Sequence, residues 1–216
     1  MTRKVDRQQH TTFAKKVNLR RRVLADLEAH GAEPAILETH GGWGRLYEAL
    51  YAGAAGGVVF ERHRHRAEHL ARQRPTWAVY ETDCVPALAA GVGSHLAPNL
   101  IDLDPYGGPW EALGAALSGL ADLGDPLWVV ANDGILEKLR IQGAWAIHCL
   151  RELVPEFGNK LDDVYLDVAK VMVGRLAAVR GYRLDDWRGY YCGKTRNLTH
   201  WAARLRRTRS RPRRGD

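Results

Sequence analysis

The sequence predicts an α/β domain built on an open, mostly parallel sheet with helices on both faces, and three observations carry that prediction. Short apolar runs alternate with amphipathic segments from residue 35 to residue 130, as expected where parallel strands are joined by crossover helices. Four carboxylates, Glu38, Glu61, Asp83 and Asp104, fall at or just past the ends of successive apolar runs, 23, 22 and 21 residues apart, so all four should line one sheet edge. The first of them opens the stretch Glu38-Thr39-His40-Gly41-Gly42-Trp43-Gly44, a glycine turn that lets backbone approach a ligand closely at a helix start. Sheets of this kind bind ligands at the carboxyl ends of their strands.

The elements follow in order. Phe13, Val17, Leu19, Val23, Leu24 and Leu27 fit one face of a helix over residues 12–30, with Lys15, Lys16, Arg20, Arg21 and Arg22 on its other face and Gly31 as its stop. Residues 35–38 are the first strand, and a helix from Arg45 turns Leu46, Tyr47 and Leu50 inward before Gly53. Strands are expected at 58–61, 77–80, 99–104 and 127–130, with helices at 63–74 and 110–123 between them. Residues 132–160 read as a helical insertion, 161–179 as a long helix, and 182–192 and 198–201 as two closing strands. The expected domain is thus 32–203, with a basic helix at 1–31 before it and an Arg-rich disordered tail at 204–216 after it.

Charge is unevenly placed. Of the formal +7, residues 1–23 carry +7 and residues 204–216 carry +6, leaving the middle of the chain at −6. Basic ends around an acidic core point to a polyanionic partner, with nucleic-acid phosphate the commonest. Lys15, Lys16, Arg20, Arg21, Arg206 and Arg207 are the candidate phosphate contacts. Cys84, Cys149 and Cys192 are odd in number and widely spaced, which gives neither a disulfide framework nor a metal pair and suits a reducing, cytoplasmic compartment. No apolar run approaches the roughly 20 residues that span a bilayer, so no membrane partner is expected.

The ordered set of strand-end residues resembles the class I S-adenosylmethionine-dependent methyltransferases. In that family an acid ends strand one before a glycine turn, a second acid ends strand two, a third follows strand three, and a catalytic tetrapeptide follows strand four. Here Glu38 with Gly42 and Gly44, then Glu61, then Asp83, then Asp104-Pro105-Tyr106-Gly107 stand in that order, with His40 where the family's first glycine usually lies. The resemblance covers residues 12–203. It implies a Rossmann-like, seven-stranded sheet with a final antiparallel hairpin, S-adenosylmethionine as cofactor, and Glu38, Gly42, Gly44, Glu61, Asp83 and Cys84 around it. Glu61 would accept from the ribose hydroxyls, Asp83 from the adenine amine, and Cys84 would pad the adenine pocket.

The tetrapeptide is similar to the (Asp/Asn/Ser)-Pro-Pro-(Tyr/Phe) motif of methyltransferases acting on exocyclic base amines, and closer to the Asp-Pro-Phe-Gly of tRNA guanine-N2 methyltransferases. The resemblance implies an N-methyltransferase of a nucleic-acid base, RNA or DNA, with Asp104, Pro105 and Tyr106 as catalytic residues. An exocyclic amine is a poor nucleophile because its lone pair is delocalised into the ring. Hydrogen bonds to Asp104 and a carbonyl of the turn would localise that pair, while Tyr106 stacks on the base. A methyltransferase of protein or small-molecule amines and a non-catalytic nucleic-acid-binding module remain as alternatives. The chain lacks a phosphate-loop Gly-x-x-x-x-Gly-Lys-Ser/Thr, and the third glycine of a dinucleotide fingerprint falls on Tyr47. His63, His65 and His69 include an i, i+4 pair, but Arg62, Arg64, Arg66 and Arg72 surround them and disfavour a cation, so no metal is expected.

Overall fold

The structure, a computed structural model, describes residues 2–136, 161–193 and 196–208. Seven strands form one sheet: β1 (Ile36–Glu38), β2 (Gly57–Glu61), β3 (Ala78–Glu81), β4 (Leu100–Leu103), β5 (Leu127–Asp133), β6 (Tyr182–Cys192) and β7 (Leu198–Arg207), in the order β3-β2-β1-β4-β5-β7-β6. β1 to β5 are parallel, and β7 runs antiparallel to both β5 and β6. The inner parallel strands β1, β2, β4 and β5 are buried on both faces and rich in apolar residues, while the edge strand β3 is half-buried to exposed. Strand order reverses between β1 and β4, so a crevice opens where their carboxyl ends diverge.

Two cores sandwich the sheet. On one face α3 (Cys84–Ala89), α4 (Trp110–Gly119) and α5 (Leu161–Val179) pack on Leu37, Val58, Ile101, Val129 and Trp201. On the other, α1 (Thr2–Ala29), a π-helical turn (Tyr47–Tyr51) and α2 (Arg64–Gln73) pack on Ile36, Val59, Leu100, Val130 and Ala202. α1 is integral to the second core and not an appendage. Asp26 near its end accepts from the Trp128 indole at 3.0 Å and from Arg204 at 3.1 Å, which pins the helix to β5 and β7. Burial works against the charge on Asp26, but these partners hold its pKa below the usual carboxylate range.

Three expectations change. The segment after the glycines is a five-residue π-helical turn, not an ordinary helix. β5 continues three residues past Val130, through Asn132 and Asp133. The expected tail is partly sheet: Arg204, Arg206 and Arg207 belong to β7, because the strand pairs with β6 as far as Arg207. Most of the expected insertion, residues 137–160, and the end of the tail, 209–216, lie outside the described residues.

Candidate active site

The glycine turn leaves β1 with tight constraints. A Cβ on Gly41 would come within 2.5 Å of Leu70 and 2.6 Å of Val59, and the Gly41 amide donates to the Phe60 carbonyl at 2.9 Å. Gly41 therefore lets the turn pack directly on Leu70 and Val59, where a side chain would not fit. Gly42 has φ 55° and open space where a side chain would stand; Gly44 has φ 75°, and a Cβ there would meet the Gln73 side chain. Both are left-handed positions that favour glycine.

The Glu61 carboxylate ends β2 beneath this turn. One oxygen accepts from the Gly42 amide and the other from the His63 amide, each at 2.9 Å. Asp83, exposed, caps α3 by accepting from Val85 N at 2.9 Å. Cys84 beside it is buried, and burial together with Asp83 pushes its thiol pKa up to about 12. Its sulfur lies 3.9 Å from His40 Nε2. The Thr39 hydroxyl lies 2.8 Å from His40 Nδ1 and 3.1 Å from the Asp102 carbonyl, which links the turn to β4. Burial pushes the His40 pKa down despite the nearby acids. Glu61 is thus bonded to Gly42, and Cys84, next to Asp83, meets His40 of the same turn. Glu38 does not join them: it is 1% exposed and ion-paired to buried Arg74, which also lies over Tyr47 and Trp77. Burial raises its pKa to about 7 against the opposing pull of Arg74. Glu38 braces the turn instead of facing a ligand, because β1 alternation directs it into the α1-side core.

The β4 end of the crevice is built differently. Asp104, one residue past β4, receives the Lys16 ammonium at 2.6 and 2.8 Å, with both side chains 17% exposed. Burial alone would raise the Asp104 pKa; Lys16 and Arg20 hold it below the usual range. Two residues earlier, Asp102 is fully buried between the Arg20 guanidinium, at 2.5 and 2.7 Å, and the Tyr51 hydroxyl at 2.6 Å. The following turn exposes Tyr106 completely and is tied to the end of β5, where Gly134 N donates to the Gly107 carbonyl at 3.0 Å.

Asp133 closes β5 on the opposite face. It accepts from Tyr165 at 2.6 Å, Trp201 at 3.3 Å and the Ile135 amide at 3.0 Å, while burial raises its pKa to about 6.

The expected phosphate contacts divide. Lys15 and Arg21 are exposed on α1. Arg20 is fully buried on Asp102, and Lys16 is engaged by Asp104, so neither side chain faces solvent phosphate. Residues 16, 20, 23 and 27 share one helical stripe, which puts both cations on the face that Val23 and Leu27 bury. Arg206 and Arg207 sit beyond the amino end of β5, since Leu127 pairs with Leu205, and therefore at the sheet edge opposite Asp104. Arg207 donates to the Leu123 carbonyl at 3.0 Å and lies over Tyr182. Asp102, Asn132, Asp133 and His200 are site residues that sequence reasoning does not single out. The 4-3-4 spacing of Lys16, Arg20, Val23 and Leu27 is the available signal for the two cations that meet Asp102 and Asp104. Among the described residues no group of three His, Cys, Asp or Glu could hold a metal ion.

Solved structures share this architecture. Trm1 from Pyrococcus horikoshii in complex with S-adenosyl-L-methionine matches 86% of the chain with TM-score 0.61 at 19% identity, and the chain spans 53% of that protein. N-methyltransferase NodS from Bradyrhizobium japonicum WM9 matches 88% of the chain and 96% of its own length, with TM-score 0.54 and 12% identity. The chain has the methyltransferase fold. M. jannaschii TYW2 in complex with AdoMet matches at TM-score 0.51 and 11% identity, over 81% of this chain and 69% of that one. No protein-family model matches the chain, and no curated protein matches it by sequence.

Proposed function

We propose that the chain is an S-adenosylmethionine-dependent methyltransferase acting on an exocyclic amine of a nucleic-acid base. The observation that carries this reading is Asp104: a carboxylate at the reversal point of strand order, already hydrogen-bonded to an amine, with a fully exposed tyrosine two residues on. The cofactor fits the residues present. The open, left-handed Gly42 would admit its backbone-contacting portion, Glu61 keeps unused lone pairs for the ribose, and exposed Asp83 offers its carboxylate to the adenine amine. Trm1 and TYW2, of the same fold, were solved with this molecule. When bound it would supply an electrophilic methyl group on a sulfonium.

The protein's own work is to hold the acceptor. Asp104 accepts an N–H of the amine and localises its lone pair; its low pKa keeps it an acceptor at neutral pH. Tyr106 offers an aromatic face for stacking on a base, and exposed Lys15, Arg21 and Arg22 on α1 offer charge to phosphates. An alkyl amine also fits Asp104, as Lys16 demonstrates, so a protein or small-molecule amine is the second reading. Labelled methyl transfer into separate tRNA, rRNA, DNA and protein pools decides between them. Counts are expected in a nucleic-acid pool; counts confined to protein would favour the second reading, and absence of calorimetric binding to S-adenosylmethionine and S-adenosylhomocysteine would reject both.

A further inference from the structure

Two buried side-chain atoms beside Asp104, Asn132 Oδ1 and His200 Nε2, have no hydrogen-bond partner among the described residues. Their positions follow from strand register. Leu103 of β4 pairs with Ala131 of β5, which brings Asp104 and Asn132 level one residue later, and Asn132 pairs with His200 of β7. Neighbouring strands are about 4.8 Å apart. Alternation puts all three on the α1 face, because Val130 and Ala202, two residues away, pack into the α1-side core. Asp104, Asn132 and His200 are therefore a row across three adjacent strands at the carboxyl edge.

The protonation of His200 can be assigned from its neighbours. The Tyr190 hydroxyl donates to the Lys15 carbonyl at 2.7 Å, which assigns the 3.1 Å contact to donation from His200 Nδ1 to Tyr190 Oη, with the Cys192 sulfur 3.6 Å from the same nitrogen as a second acceptor. The orphan Nε2 then carries a lone pair. His200 is fully buried, and burial together with Arg20 and Lys16 pushes its pKa down to about 3, which keeps the ring neutral. Leaving two buried acceptors unsatisfied is costly, and such groups call for an explanation. Lys16 does not supply it: its ammonium bonds both Asp104 oxygens and neither orphan. A flexible alkyl ammonium is a point donor, whereas a planar group with several N–H bonds could reach more than one member of the row.

We propose that Asp104, Asn132 and His200 form one subsite for the acceptor amine, in which Asn132 and His200 are positioning acceptors for a planar, N–H-rich group and Lys16 is an internal occupant that the substrate displaces. The proposal rests on the reading of Asp104 given above and adds to it the preference for a planar amine over an alkyl one.

The test uses two readouts. In Lys16→Met protein with saturating S-adenosylhomocysteine, ¹⁵N spectra of the imidazoles should show His200 protonated at Nδ1. Titration with guanidinium chloride in the low millimolar range should then shift the Nε2 resonance saturably, and adding Asn132→Leu should weaken that response by about fivefold. A protonated Nε2, or no saturable shift, overturns the subsite. In transfer assays with the nucleic-acid pool that the wild type labels, His200→Phe should lower kcat by about tenfold with cofactor affinity unchanged, and His200→Gln, which returns an acceptor, should regain most of it. Lys16→Met should raise kcat/KM. Full activity in His200→Phe overturns the role of His200. If the wild type labels no nucleic acid, the function proposed above falls while the guanidinium titration still decides the subsite.

Discussion

The two halves of the carboxyl edge hold their acids over a buried sheet in opposite ways. Around β1 to β3, apart from Glu38 on Arg74, the acids are held by backbone: Glu61 by two amides, Asp83 by the start of α3. Each such bond spans at most 19 residues of chain. Around β4, β5 and β7 the acids are held by side chains that arrive from far away, Lys16 and Arg20 from 88 and 82 residues upstream. A local motif makes the first half; the docking of α1 makes the second. The first half should therefore respond to mutation in cofactor affinity, and the second in transfer and in stability.

The sharpest separation comes from Asp104→Ala. Transfer should fall by about a thousandfold, while calorimetric affinity for S-adenosylmethionine stays unchanged because the glycine turn is untouched. Equal falls in affinity and transfer would erase the distinction between the halves.

Arg20→Met should cost about 3–5 kcal/mol of stability, since it leaves the buried Asp102 carboxylate with the Tyr51 hydroxyl as its remaining partner. Pairing it with Asp102→Leu removes both charges and should recover most of the loss in denaturant unfolding. The double-mutant comparison distinguishes an uncompensated charge from simple damage to α1 packing, which the second substitution would not repair.

That contrast also explains what is legible in the sequence. The parallel sheet, its order of elements and the closing hairpin can be read from apolar runs and glycine stops, because the inner strands β1, β2, β4 and β5 are buried on both faces. The left-handed turn at Gly42 and Gly44 and the cap at Asp83 are equally readable, as each is set by residues next to it in sequence. Glu38 misleads because a strand-end acid looks the same whether alternation turns it toward the mouth or under it; only Arg74, distant in sequence, reveals which. Lys16 and Arg20 read as a solvated basic face although they continue the stripe of Val23 and Leu27. A charge within an apolar stripe signals a buried partner, and Asp102 and Asp104, with period-two spacing on one strand face, are that partner.

On the cofactor half, Glu61→Ala should weaken S-adenosylmethionine binding by about 10- to 100-fold, as it removes a charged acceptor and frees the Gly42 amide. At saturating cofactor, kcat should recover. A kcat that stays low would mean that Glu61 also acts on the acceptor side, and the two halves would not be separable.

The smallest effect concerns charge at the two edges. Lys15 and Arg21 are exposed on α1, whose Lys16 reaches Asp104, whereas Arg206 and Arg207 lie at the opposite edge. Removing one cation that neutralises a phosphate lowers the slope of log affinity against log salt by about 0.7 to 0.9. Lys15→Ala with Arg21→Ala should therefore reduce the slope for the nucleic-acid substrate by about 1 to 2, and Arg206→Ala with Arg207→Ala should leave it unchanged. Equal reductions from both pairs would mean that the ligand wraps around the sheet and that the carboxyl edge is not its only seat. A change from the second pair alone would move the docking face to the amino edge, where the Asp104 row could not reach the bound base.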